Sequence, residues 1–172
     1  VPVEKVVDLS RDPQVDAFSD LRVLRECAVD DLQLLQCLGV PGEVLLGRLV
    51  DEPDGLGVPL GLQDLGLKPK DKFAELLYNG SEFFEAFFAG CFIGCPMPFL
   101  NWHMHGNELA EAINRGAPKL LIFDEEFTDE IMAIKDKLTT IRHFVVVGSR
   151  APEGMMLYEE LLARSPNHEP DI

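Results

Sequence analysis

Basic residues are scarce in this chain. Its 172 residues carry 15 Lys and Arg against 30 Asp and Glu, a formal net charge of −15. Binding to a phosphate backbone draws on counterions released by clustered Lys and Arg, and no such cluster occurs here. Nucleic acid and anionic membrane surfaces are therefore poor partners, and the acidity reads first as solubility. Long apolar runs are missing too, since none approaches the roughly 20 residues that cross a bilayer. The first residues, Val1-Pro2-Val3-Glu4, show neither an initiator Met nor a basic stretch leading into an apolar one. No secretory leader is read there, and cytoplasm is the expected compartment. Four cysteines, Cys27, Cys37, Cys91 and Cys95, are too sparse for a disulfide framework.

What is present is ordinary for a globular domain: 47% apolar and 26% charged residues. A chain of this length buries roughly 70% of its unfolded surface. The apolar content is unevenly spread. Residues 1–60 hold one aromatic, Phe18, whereas residues 73–103 hold nine. The first region offers two short runs with helical apolar spacing, Leu32–Leu38 and Val44–Val50. Between and after them stand Gly39-Val40-Pro41-Gly42, Pro53-Asp54-Gly55 and Gly57-Val58-Pro59. Such breaks with few aromatics imply weak packing or disorder over residues 1–60.

Residues 61–172 are patterned. Phe73–Leu77 reads as a buried strand, and Asn79 with Glu82 has the spacing of a capping box. Phe83, Phe84, Phe87, Phe88, Cys91 and Phe92 then recur at helical spacing, the mark of a core-facing stripe. Gly94 suits a helix end in the left-handed region. Pro96–Leu100 is a second extended segment, irregular or at an edge because of its prolines. Glu108–Arg115 is a short helix stopped by Gly116, and Leu120–Phe123 is a buried strand. Thr128 is positioned to cap a helix over Asp129–Leu138, with acids in its first turn. Phe144–Val147 is the fourth strand, and a last helix covers about Met155–Arg164. Strands starting about 22 to 24 residues apart, with helices between them, predict an α/β fold of parallel βαβ units. Glu75 stands out, because a carboxylate inside a buried strand is costly unless paired.

Four segments resemble one family in order and spacing. Gly61-Leu62-Gln63-Asp64-Leu65-Gly66-Leu67-Lys68-Pro69-Lys70-Asp71-Lys72-Phe73 is similar to a helix followed by Leu-Gly-Leu-Lys-Pro-Gly-Asp-Arg-Val. Leu76 to Ala89 looks like the strand and helix that follow in that family. Pro98-Phe99-Leu100-Asn101-Trp102 with Asn107-Glu108-Leu109-Ala110 and Ala112-Ile113-Asn114 resembles its Pro-Leu-Asn … Glu-Leu … Leu-Asn segment. Ala117-Pro118-Lys119-Leu120-Leu121-Ile122-Phe123-Asp124 matches its next strand. The family is that of the AMP-dependent acyl-CoA synthetases and firefly luciferases, which form acyl-adenylates. The resemblance implies an incomplete stretch of the N-terminal domain of such an enzyme. Family members activate a carboxylic acid with ATP and Mg²⁺, then transfer the acyl group to CoA.

That chemistry needs backbone N–H groups around the phosphates, a metal and a cation against the developing charge. In the family these come from a Ser/Thr/Gly-rich loop ending in Pro-Lys, later acidic motifs and a Lys near the C-terminus. None is found here; after Val147 the chain offers Gly148-Ser149-Arg150. The expectation is a scaffold fragment with no catalytic, cofactor-binding or metal-binding residue of its own. Unpaired sheet edges in such a fragment would favour self-association. The alternative is a non-catalytic α/β interaction or regulatory module. The family's Leu-Thr-Tyr … Glu-Leu stretch is missing upstream of Gly61, a departure that a mis-framed stretch over residues 1–60 would explain, and Phe99 interrupts its Pro-Leu-Asn register.

Three constellations invite sharper readings. His103-Met104-His105 with Cys91 and Cys95 could bind zinc, although Cys-x₃-Cys on a helix equally places two thiols on one buried face. The Phe-rich helix could line an acyl pocket, but such a stripe is ordinarily core. Asp124-Glu125-Glu126 follows a strand, as a phosphoacceptor Asp does in response-regulator receivers. The acidic pair and Lys that such a site needs are replaced by Tyr78-Asn79 and Gly148-Ser149-Arg150. Asn101 and Trp102 are candidates for shaping a loop near the ligand face.

Overall fold

The computed structural model describes residues 57–163. Four strands form one parallel sheet in the order β1 (Phe73–Leu76), β2 (Leu120–Asp124), β3 (His143–Val147), β4 (Met156–Leu157). Phe73 pairs with Leu120, Leu120 with His143, and Val145 with Met156. Side chains alternate across a strand, so the sheet builds two cores. Phe73, Leu77, Leu120, Ile122 and Val145 face one layer, with Val58, Leu62, Ala86, Ala89, Tyr158 and Leu161. These last belong to α1 (Gly57–Asp64), α2 (Ser81–Phe92) and α5 (Tyr158–Ala163). Ala74, Leu76, Leu121, Phe123, Phe144 and Val146 face the opposite layer. There they meet Leu109 and Ile113 of α3 (Gly106–Gly116) and Ile131 and Ile134 of α4 (Thr128–Ile134). Each fully buried Leu, Ile, Val or Phe contributes about 1.5–3 kcal/mol. Burial on both faces is why β2 can read Leu-Leu-Ile-Phe without a polar residue.

The α/β class and three of the expected strands are as the spacing predicts. Other elements depart from it for identifiable reasons. Pro96–Leu100 makes a single parallel bridge, Phe99 to Glu75, with the Leu100 N–H donating to the Glu75 carbonyl at 3.1 Å. Pro96 and Pro98 lack the N–H a longer ladder needs. Gly94 does take the left-handed region just beyond α2, at φ +67°. Gly116 instead stays helical, and Ala117 takes that conformation at φ +52°. Neither expected cap forms. Gly80, not Asn79, precedes α2, and Glu82 accepts from the Ser81 hydroxyl at 3.0 Å. Thr128 is the first residue of α4, and its hydroxyl is buried without a hydrogen-bond partner. That helix ends at Ile134, with Lys135–Lys137 tightening to a 3₁₀ turn. At the far end, pairing with Val145 and Val146 draws Met156 and Leu157 into a strand before the helix starts.

The expected break Gly57-Val58-Pro59 is the first turn of α1. Proline is tolerated there because first-turn N–H groups have no intrahelical partner. Residues 1–56 and 164–172 lie outside the described residues, and with them the two short runs Leu32–Leu38 and Val44–Val50.

The largest correction concerns α2. Its buried residues are Glu85, Ala86, Ala89, Gly90 and Phe92. Phe83, Phe84, Phe87 and Phe88 are half-buried, and Cys91 is exposed. The helix reaches the sheet through small side chains, which permit closer approach than phenylalanines would. Outside, Phe99 stacks on Phe83 and Phe87 at 5.2 and 5.8 Å while remaining 55% exposed.

Between α1 and β1 the chain turns at Lys68-Pro69-Lys70-Asp71, with the Asp71 N–H donating to the Lys68 carbonyl at 2.9 Å. Lys70 stands at φ +75°, the third turn position, where glycine is favoured. Lys70→Gly is expected to stabilise the chain by about 1 kcal/mol, since a left-handed non-glycine residue costs roughly 1–2 kcal/mol. A urea titration showing no gain would contradict it.

Candidate ligand crevice at the end of β1

The connections leaving β1 diverge. From β1 the chain runs through α2, on the first face, to the Phe99 bridge on the strand's outer side. It then returns through α3, on the opposite face, to β2 on the inner side. Open α/β sheets bind ligands outside the carboxyl ends of the strands at such a reversal. Here that place is occupied by Tyr78, which follows β1.

Tyr78 is 40% exposed and Trp102 is 43% exposed. Their rings meet edge to face at 5.5 Å, and Tyr78 also lies 5.1 Å from Phe127. Trp102 contacts His103 at 3.5 Å, in a loop closed by the His103 N–H donating to Asn101 Oδ1 at 3.0 Å. Asn101 and Trp102 thus belong to a loop that places the Trp102 ring against Tyr78, just past the end of β1. The sequence signal of Tyr78 and Phe127 is position alone: Tyr78 follows a strand and Phe127 ends the 3₁₀ turn Glu125–Phe127.

The polar groups of the crevice are engaged with one another. The Tyr78 N–H donates to Asp124 Oδ2 at 2.6 Å, tying the end of β1 to the end of β2. Burial, followed by Glu82 and Glu126, raises the Asp124 carboxyl despite that hydrogen bond. Partial desolvation and then the Glu126 carboxylate raise the Tyr78 phenol. One strand over, Glu125 accepts from the Ser149 N–H at 2.6 Å and its hydroxyl at 3.0 Å, with Arg150 3.6 Å away. These bonds, the Ser149 N–H first, hold the Glu125 carboxyl below its ordinary value. Gly148 makes the clasp possible: a Cβ there would stand 2.5 Å from Glu125 atoms. The run Asp124-Glu125-Glu126 thus latches neighbouring loops.

The zinc constellation is dispersed. Cys95 lies past the end of α2 and donates its thiol to the Lys68 carbonyl at 3.2 Å, while Cys91 faces solvent. The two thiols do not share a buried helix face, which corrects the structural alternative as well. His105 pairs with Glu130 at 3.4 Å, and Glu130 accepts from the Gly106 N–H at 2.5 Å, closing the start of α3. Among the described residues no group of three or more His, Cys, Asp or Glu is placed to hold a metal.

Comparison with known proteins decides what the scaffold is. The sequence model described as AMP-binding enzyme matches residues 60–171, more than half of the chain. The chain belongs to the AMP-binding enzyme family. It is 36% identical over 102 residues to a long-chain-fatty-acid–CoA ligase of Thermus thermophilus, covering 59% of this chain and 19% of that protein. It is 31% identical over 107 residues to a 3-methylmercaptopropionyl-CoA ligase of Ruegeria lacuscaerulensis, covering 59% and 20%. The anthranilate CoA ligase AuaEII, solved with anthranoyl-AMP, has the same fold at a TM-score of 0.63 and 20% identity, over 70% of this chain and 23% of that one. A red-emitting luciferase from Phrixothrix hirtus follows at 0.60 and 20% identity, over 69% and 29%. The chain spans about a fifth of the length of these curated relatives.

In this chain of the AMP-binding enzyme family, the side-chain charges acting on Asp124 at the strand ends, Glu82 and Glu126, are acidic, and Arg150 lies 3.6 Å from Glu125. Among the described residues no helix is long and apolar enough to cross a membrane.

Proposed function

We propose that these residues are N-terminal scaffold of an AMP-dependent acyl-CoA ligase, and that the 172-residue chain alone does not adenylate. The parent activity is activation of a carboxylic acid by ATP and Mg²⁺ to an acyl-adenylate, followed by thioester formation with CoA. Family membership over residues 60–171 carries this reading. The state of the strand ends supports the second half. Their polar groups are spent on loop-to-loop hydrogen bonds, and the charge gathered there is negative. Adenylation needs preorganised donors and cations where negative charge develops.

Pyrophosphate release by the purified chain, with ATP, Mg²⁺ and a panel of fatty and aromatic acids, is expected to stay at background. Turnover above it would overturn the proposal that the chain lacks its own machinery.

A further inference from the structure

Glu75 sits in the middle of β1, facing the layer that holds Phe73 and Leu77. It is 1% exposed, and neither carboxyl oxygen has a hydrogen-bond partner. Across the sheet it pairs with Ile122 on one side and Phe99 on the other. Among the described residues, the elements packed on that face bring no cation to it. From α1 come Val58 and Leu62; from α2, Ala86, Ala89 and the buried Glu85; from α5, Tyr158 and Leu161. Tyr158 donates its hydroxyl to Glu85 at 3.0 Å, and burial first, then Glu85, Glu82 and Glu75, keep that phenol protonated. Among the described residues, the titratable neighbours named here are all acids.

We propose that the chain folds with Glu75 as a neutral acid, so that closing α1, α2 and α5 over β1 takes up a proton and losing that proton loosens the layer. An ionised carboxylate placed there would have no counter-charge and no donor among the described residues, and burying an unpaired charge costs far more than burying a neutral polar group. Burial alone pushes the Glu75 carboxyl from 4.5 up to about 9. A carboxyl raised on folding adds its full stability below its unfolded value of 4.5 and loses it as pH climbs through about 9. At neutral pH the unfolded chain has released this proton and the folded chain holds it. The inference does not depend on the enzymatic reading, because it concerns the fold of this chain alone.

Two measurements on the full 172-residue chain test it. In urea titrations between about pH 7 and pH 8.5, the folding constant of the native chain is expected to fall about tenfold per pH unit relative to that of Glu75→Gln. Glu75→Leu, which removes the polar atoms, should show the same flattened dependence and serves if the glutamine variant does not fold. Independently, unfolding the native chain in lightly buffered denaturant near pH 7 should release about one proton, read with a pH indicator. Parallel pH dependences in native and variant chains, or unfolding without proton release, would overturn the proposal.

Discussion

Gly90→Ala is expected to destabilise the chain by about 1–3 kcal/mol, although alanine is the better helix former by roughly 0.8–1.0 kcal/mol. Gly90 lies inside α2, where an exposed glycine would be a simple weakness. Its place against the sheet reverses the sign. A Cβ at this position would stand 2.8 and 2.9 Å from ring carbons of Phe73 and 3.0 Å from the Cys95 carbonyl oxygen. Neither neighbour can easily give way. Phe73 is fully buried, and the Cys95 segment is held by its own N–H, which donates to the Gly90 carbonyl at 2.8 Å. The added methyl must therefore push α2 off the sheet or force the ring from its rotamer. The test is a urea titration of Gly90→Ala beside Phe73→Leu and the double variant. The double variant should recover part of the loss, because the smaller side chain vacates the contested space. An alanine variant as stable as the native chain, or more so, would show that the layer is not packed this closely.

Tyr158→Phe is expected to cost about 1–3 kcal/mol, the usual consequence of removing a donor from a buried acceptor. The phenol is 2% exposed and Glu85 is 3% exposed, so water does not substitute for the lost hydroxyl. Their hydrogen bond spans 73 positions of sequence and joins α2 to α5. Glu85→Leu should be better tolerated than Tyr158→Phe, since it removes the carboxyl that needs donors. The double variant should lose much less than the sum of the two single losses. Thermal melts of the four proteins would show this, and strictly additive losses would mean that the two groups do not depend on each other.

Both predictions arise in the layer where sequence reading was weakest. The periodicity of Phe83, Phe84, Phe87 and Phe88 marks α2 as an amphipathic helix, and α2 is a helix. It does not say which face meets the sheet. Ala86, Ala89 and Gly90 also recur at helical spacing, and this small-residue face wins because it lets the helix approach Phe73. The phenylalanines are left half-buried with Phe99 stacked across them. Helix caps failed for a related reason. Asn79 and Thr128 have suitable side chains, but a cap depends on backbone angles at one residue, and neighbouring loops fix those. The start of α3 is closed by Glu130, a residue of another helix, which no local pattern could reveal. The short strand Met156–Leu157 likewise exists because Val145 and Val146 offer a ladder to pair with.

The candidate site divides in the same way. Asn101, Trp102 and Asp124-Glu125-Glu126 could be picked out as loop residues following extended segments. That Trp102, Asp124 and Glu126 meet Tyr78 at the end of β1, while Glu125 turns to Ser149, is set by the chain's path around that strand.

By itself, then, the sequence determined the class of the molecule, three of its four parallel strands and its family. Those rest on apolar runs about 24 residues apart and on segments whose order survives in linear text. Only the tertiary structure decided which helix face is core, what becomes of Glu75, and that the acids after β2 serve as latches. Those outcomes depend on distances between residues remote in sequence. For Glu75 in particular, the chain shows a carboxyl in an apolar strand, but burial without a partner is a property of the packed layer, and it is burial that decides its charge.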